Sequence, residues 1–223
     1  VLERCVPVIY GDAVVFDRLE HCGLGTPGVP VTSVAGRDAL ERATGPLLVD
    51  CGGVGSQGWQ AGRVSAECGR AAYAYIEHAI QSALSGQLDG VVTAPVHKEA
   101  LKLAGVEYPG HTEIFTALTG ASRTCMMLYS EPLTVSMVTT HVGYHEVPER
   151  LTAERVYDVI TLTDQAMRSM RGFPPRLTIC GLNPHAGDNG LLGNEEKDII
   201  SKAVEKASVE RVLAVGPFPA DGF

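Results

Sequence analysis

Two hydrophobic periods alternate along the chain. The first part carries short apolar runs punctuated by glycine and proline: VPVIYG, GVPVTSV and GPLLVDCGG read as strands and their connections. GVGSQGWQAGRVS reads as a loop. From Ser65 to Ser85, SAECGRAAYAYIEHAIQSALS holds apolar residues at helical spacing and predicts a helix, with His78 on its surface or half-buried. A regular rhythm follows. DGVVTAPVHKEALKLAG is strand, loop and short helix, and YPGHTEIFTALTG is loop and helix. CMMLYSEPLTVSMVTTHVGYHEVPERLTAERVYDVITLTDQAMRSM gives two strands, a loop and a long helix. PRLTICGLNPHAGDNGLLGNEEKDIISKAVEKA repeats strand, loop and helix, and ERVLAVGPFPADGF gives strand then loop. Alternation of this kind predicts an α/β layered fold with a largely parallel or mixed sheet. A domain boundary is expected near Leu88–Val96, dividing residues 1–88 from residues 89–223.

Length and composition narrow the class. A chain of 223 residues can bury a real core as one large α/β domain or two small ones. The formal net charge of −8, without a Lys/Arg cluster, argues against nucleic-acid binding. An anionic ligand therefore needs local positive groups. Cys5, Cys22, Cys51, Cys68, Cys125 and Cys180 include no C-x-x-C pair, which predicts buried, reduced thiols in a cytoplasmic protein. No apolar run is long enough to span a membrane. The G-x-G fragments near residue 55 lack the strand-turn-helix setting of a dinucleotide fingerprint. The opening apolar strand and the closing GPFPADGF suggest that segments are missing at both ends.

In open α/β sheets, ligands bind beyond the carboxyl ends of the strands. Polar groups collect at such places or at a helix entrance: His97 after VVTAPV, His111 before EIFTALTG, His141 after VSMVTT, His185 after LTICGLNP, and Asp221 after RVLAVGPFPA. If the strands are neighbours, these groups converge on one crevice, with Gly187 and Gly190 leaving room beside His185. Imidazoles that meet this way suit Zn, Co, Ni or Fe, and a carboxylate widens the choice to Mn or Mg. Each histidine taken alone reads better as a capping or hydrogen-bonded loop residue. His145 would share a helix face with His141 only if the segment were helical, which Gly143 and Pro148 argue against. Thr112 at a helix start is a candidate phosphate contact. Lys98 offers a fixed positive charge or an exposed helix-start lysine. Asn194, Glu195 and Glu196 open a helix, where the acidic first turn satisfies the dipole and reads as structural.

TAPVHKEAL, YPGHTEIF, TTHV, GLNPHAG and GPFPAD, in this order, closely resemble the family of 4-hydroxythreonine-4-phosphate dehydrogenase, the pyridoxal-phosphate biosynthesis enzyme PdxA, and its paralogues. The resemblance implies an isocitrate/isopropylmalate dehydrogenase-like α/β/α sandwich of two domains, incomplete here. It implies a homodimer with the active site at the interface. It also implies metal-dependent, NAD(P)-linked oxidation, with decarboxylation, of 4-phosphohydroxy-L-threonine. On it, His141 and His185 are metal ligands for Zn, Co, Mg or Mn, with a third ligand beyond residue 223. His111 and Thr112 are substrate contacts, and Asp221 lies near metal and substrate. Asp221 and Lys98 are the candidates for acid/base work. Asp188 stands where the family often has glutamate, and TTHVGYHEVPER departs from the usual continuation. That leaves open a paralogue acting on 4-phospho-D-threonate, 4-phospho-erythronate or a carboxylated cis-dihydrodiol. A metallohydrolase and a non-catalytic anion-binding remnant are the readings from other classes.

Overall fold

The computed structural model describes residues 4–23, 32–34, 40, 43–55, 59–108 and 110–222. The chain divides into two compact units, Val1–Ala121 and Ser122–Phe223. The division lies downstream of the boundary expected near Leu88–Val96. The reason is a core that joins elements on both sides of that stretch.

In the first unit, β1 (Val8–Gly11), β2 (Thr32–Val34) and β3 (Leu47–Asp50) form a parallel sheet in the order β1-β3-β2. Leu47, Leu48 and Val49 are all buried, as an unbroken apolar run in a central parallel strand requires. The strand ends are cross-tied. Asp12, 2% exposed, accepts from the backbone N–H groups of Gly53 and Val54, and Asp50 Oδ1 accepts from Ala13 N at 3.1 Å. Helix α1 (Ala13–His21) follows β1.

Helix α2 (Ala66–Leu84) fills the span that the periodicity predicts. Ser65 caps it, its hydroxyl accepting from Cys68 N at 3.2 Å, and Glu67 faces the positive end of the dipole. Helices α3 (Lys98–Leu103) and α4 (His111–Thr119) complete the unit. Ile76 and Ile80 of α2, Leu101 of α3 and Ile114 of α4 make one apolar cluster. The stretch VVTAPV, residues 91–96, expected as a strand, has no ladder partner among the described residues, and Val92 is 99% exposed. Propensity alone does not make a strand without a neighbour to bond.

In the second unit, β4 (Met126–Leu128) and β5 (Val135–Met137) pair antiparallel, while β6 (Leu177–Cys180) and β7 (Ala214–Phe218) pair parallel. A short turn of helix, α5 (Val147–Arg150), precedes the long α6 (Ala153–Arg171). Thr152 caps α6 by accepting from Arg155 N at 3.1 Å, and Gly172 ends it at φ 76°. Val156, Val159, Ile160, Thr163 and Met167 of α6 are buried at helical spacing. A widened turn at Glu196–Ile200 leads into α7 (Ser201–Val209). The core joins Val156 and Ile160 to Ile200, Ala203, Val204 and Ala207, and to Val212 and Ala214.

The cysteines correct one expectation. Cys5, Cys22 and Cys180 are exposed, and Cys51, Cys68 and Cys125 are half-buried, so none is sealed in a core. Cys180 ends β6, where the chain leaves the sheet, and Cys22 follows the last turn of α1. Among the described residues, no helix is long and apolar enough to cross a membrane.

Gly69 lets α2 approach α3: a Cβ there would overlap the Ala100 carbonyl and come within 3.1 Å of Ala104 Cβ. Alanine for glycine inside a helix ordinarily stabilises by about 1 kcal/mol. Overpacking against backbone acts in the opposite direction and is the larger effect. Gly69→Ala is therefore expected to destabilise the protein by about 1–3 kcal/mol net, read as a lower urea midpoint.

Candidate functional site

Two adjacent parallel strands build the most defined cluster of polar groups. β6 and β7 run side by side, pairing Leu177 with Ala214 and Cys180 with Phe218. Parallel pairing sends both chains out at the same end. His185 lies in the loop after β6 and Asp221 in the turn Ala220–Gly222 after β7. They meet there: His185 Nδ1 is 3.0 Å from Asp221 Oδ2. Both side chains keep more than half their surface open to solvent, at 65% and 55%. A proton on Nδ1 would face the carboxylate at this separation, and the pair is an ion pair when the imidazole is charged.

The backbone that carries His185 is unusual. Pro184–Gly190 forms a tight turn in which His185, Ala186, Gly187, Asp188 and Asn189 all have positive φ, from 46° to 79°. A left-handed run costs about 1–2 kcal/mol for an L-residue other than Asn or Asp, so His185 and Ala186 bear most of the strain. The compensation comes from Glu196, 5% exposed. Its Oε1 accepts from Leu182 N and Asn183 N, each at 2.7 Å, and its Oε2 from Asn183 Nδ2 at 3.0 Å. Hydrogen bonds to a carboxylate contribute about 1.5–3 kcal/mol each, enough to hold the turn. Burial pushes the Glu196 carboxyl up, but the bonds from Asn183 and Leu182 outweigh it and hold the group below its ordinary value. Asn183 Nδ2 also donates to Glu195 Oε2 at 2.7 Å. These glutamates were expected to be structural, as an acidic first turn that satisfies the dipole. Glu196 instead reaches back across the loop, a contact that its local sequence does not signal.

His141 follows β5 and is exposed, with φ 57°. Its left-handed backbone takes it off any helix shared with His145, which lies in a separate turn at Tyr144–Glu146. Pro148 sits in the first turn of α5, where proline is tolerated, so it does not exclude helix there. The strand ends before His141 and His185 line one apolar cavity of about 260 Å³. Met137, Val138 and Thr139 contribute from one side and Ile179, Cys180 and Leu182 from the other. Among the described residues, no three His, Cys, Asp or Glu side chains group to hold a metal ion.

The other predicted residues belong to the first unit. His111 opens α4, and its Nε2 is buried without a hydrogen-bond partner. Thr112 beside it is exposed. His97 is the N-cap of α3 without a side-chain cap bond, and Lys98 is the first residue of that helix, exposed.

A carboxyl held below its ordinary value stabilises the fold above the unfolded Glu range, and that stability is lost as pH falls through the folded value. The amide resonances of Leu182 and Asn183 are thus expected to stay unchanged while exposed glutamates protonate and to shift only at lower pH. An NMR acid titration checks this, and movement in step with the exposed glutamates would contradict it.

Comparison with known proteins places these features in a family. The model for pyridoxal phosphate biosynthetic protein PdxA matches residues 3–223. The D-threonate 4-phosphate dehydrogenase of Salmonella typhimurium is 35% identical over 215 residues, which is 96% of this chain and 65% of that protein. The 4-hydroxythreonine-4-phosphate dehydrogenase of Desulfosudis oleivorans is 34% identical over 223 residues, 99% of this chain and 65% of that protein. A crystal structure of 4-hydroxythreonine-4-phosphate dehydrogenase from Klebsiella pneumoniae superposes with a TM-score of 0.87 at 36% identity, over 96% of this chain and 65% of that one. The chain thus spans about two thirds of the length of the relatives it matches, and its fold is that of the isocitrate dehydrogenase-like dehydrogenases. From the motifs, the fold and these matches together, the chain belongs to the PdxA family of pyridoxal phosphate biosynthetic proteins.

Proposed function

We propose that this protein is a cytoplasmic, metal-dependent dehydrogenase, linked to NAD or NADP, that oxidises the secondary alcohol of a 4-phosphorylated threonine-type acid. The observation that carries this reading is the His185–Asp221 pair at the shared end of β6 and β7. A histidine with Nδ1 beside a carboxylate and a side chain largely open to solvent suits a metal-ligating imidazole with its outer partner. His185 therefore fits a divalent ion, and the TTHV motif is the support for His141 as the second ligand proposed from this chain. When bound, the metal and the nicotinamide supply Lewis acidity at the substrate hydroxyl and a hydride acceptor.

The chain's own groups then have distinct roles. Asp221 fixes the His185 tautomer and ring orientation, and its exposed carboxylate is available to take the hydroxyl proton. His111, whose buried Nε2 lacks a partner, and Thr112 beside it are assigned to the substrate phosphate at the positive end of α4. Lys98 is the second candidate for proton transfer, and its charge suits an anionic substrate in a chain of net charge −8. The intact enzyme is proposed to be a homodimer with its active site at the interface. Relatives named for 4-hydroxythreonine 4-phosphate and for D-threonate 4-phosphate match about equally well, at 34% and 35% identity, so both compounds belong in the assay.

NADH formation with 4-phosphohydroxy-L-threonine and 4-phospho-D-threonate, followed by absorbance, tests the reading. Activity is expected with at least one, abolished by chelation and restored by a divalent ion. His185→Ala and His141→Ala are each expected to lower kcat/KM by about 100-fold or more, and Asp221→Asn by about 10–100-fold, as for an outer partner of a ligand. Turnover that survives exhaustive chelation would refute metal dependence.

A further inference from the structure

We propose that Glu196 is a positioning residue for His185: its buried carboxylate grips the loop on both sides of the imidazole and sets the left-handed turn that delivers the ring to Asp221. This rests on the reading of His185 as a ligand.

The grip is visible on each side. Before His185, Glu196 takes both backbone N–H groups of Leu182 and Asn183 and the Asn183 amide. After it, the carboxylate packs under Gly187, where a Cβ would stand 2.7 Å from Oε2. A Cβ at Gly181 would come within 3.0 Å of Oε1. The carboxylate therefore occupies the inside of the loop from Gly181 to Gly187, and His185 is held between two gripped points. The backbone closes the same turn: Ala186 N donates to Asn183 O at 3.1 Å and Leu192 N to Gly187 O at 3.0 Å.

Three donors converge on this side chain, and only an ionised carboxylate accepts from all three. A glutamine could keep its oxygen on the two backbone N–H groups, but its NH2 would then face the Asn183 amide, donor against donor. With both oxygens engaged in the loop and the residue 5% exposed, Glu196 is built to hold a ligand loop rather than to bind an ion itself. Its place in the first turn of the helical segment disguises this role, because the side chain points back across the loop instead of along the helix.

The test compares wild type with Glu196→Gln by two readouts that helical content alone does not set. The first is the imidazole 15N spectrum, with His185 assigned by its loss in His185→Ala. Wild type is expected to show the Nδ1–H tautomer with a retained, hydrogen-bonded proton, and Glu196→Gln to lose that signature. The second is the dissociation constant for Co²⁺, expected to rise by about 10–100-fold in the variant. Circular dichroism checks that the helices persist. If Glu196→Gln does not fold, Asn183→Ser, which removes one donor and leaves the carboxylate, serves in its place with the same expected direction. A folded variant with an unchanged His185 spectrum and unchanged Co²⁺ affinity overturns the proposal. If wild type binds no Co²⁺ and makes no NADH, the metal reading fails, while the His185 spectrum still decides whether Glu196 positions the ring.

Discussion

The parallel pairing of β6 with β7 is the constraint on which the proposed chemistry depends. Two strands that run in the same direction release their loops at one end, so residues 36 positions apart, His185 and Asp221, can meet at 3.0 Å. Antiparallel pairing would send the two loops to opposite ends of the sheet and part them. The strands are held by a core that α6, α7 and β7 share, from Val156 and Ile160 to Ala203, Ala207 and Ala214. Packing well away from the imidazole thus determines whether it finds its carboxylate.

The loop itself shows how a fold sustains local strain. His185 and Ala186 occupy backbone conformations that side chains disfavour, and such positions persist only where the surroundings over-determine them. Here the surroundings are a buried carboxylate, the two backbone N–H groups and one amide that it accepts from, and glycines that leave it room. Replacing any one of them loosens the others, because they share atoms. A histidine on a relaxed loop would sample many directions, whereas the backbone beside this one is tied by hydrogen bonds at Asn183 and Ala186. That is the preorganisation expected of a site that must hold charge in one place.

Much of the architecture was legible in the residue pattern. The helix predicted between Ser65 and Ser85 ends on those two serines as caps, because hydroxyl caps and apolar spacing are both local signals. The strands LLVD and LTIC form where apolar runs predict them. The meeting of His185 and Asp221 followed from placing polar groups at strand ends, given that the strands are neighbours. What stayed hidden depends on contacts distant in sequence. Glu196 carries the ordinary signal of an acidic first turn, and only the fold turns its carboxylate toward Leu182 and Asn183. The positive φ at His185 and Ala186 has no signal in their residue types. The stretch VVTAPV has strand-like residues and no described partner to make it a strand. Cysteines read as buried are exposed or half-buried, because apolar neighbours in sequence do not guarantee enclosure.

A crystal structure of the protein grown with Zn²⁺ would decide whether His185 and His141 share an ion. The ion is expected on His185 Nε2 at about 2.0–2.1 Å, with His141 as a second ligand and Nδ1 still beside Asp221. An ion bound elsewhere, with the His185 ring turned from Asp221, would contradict it.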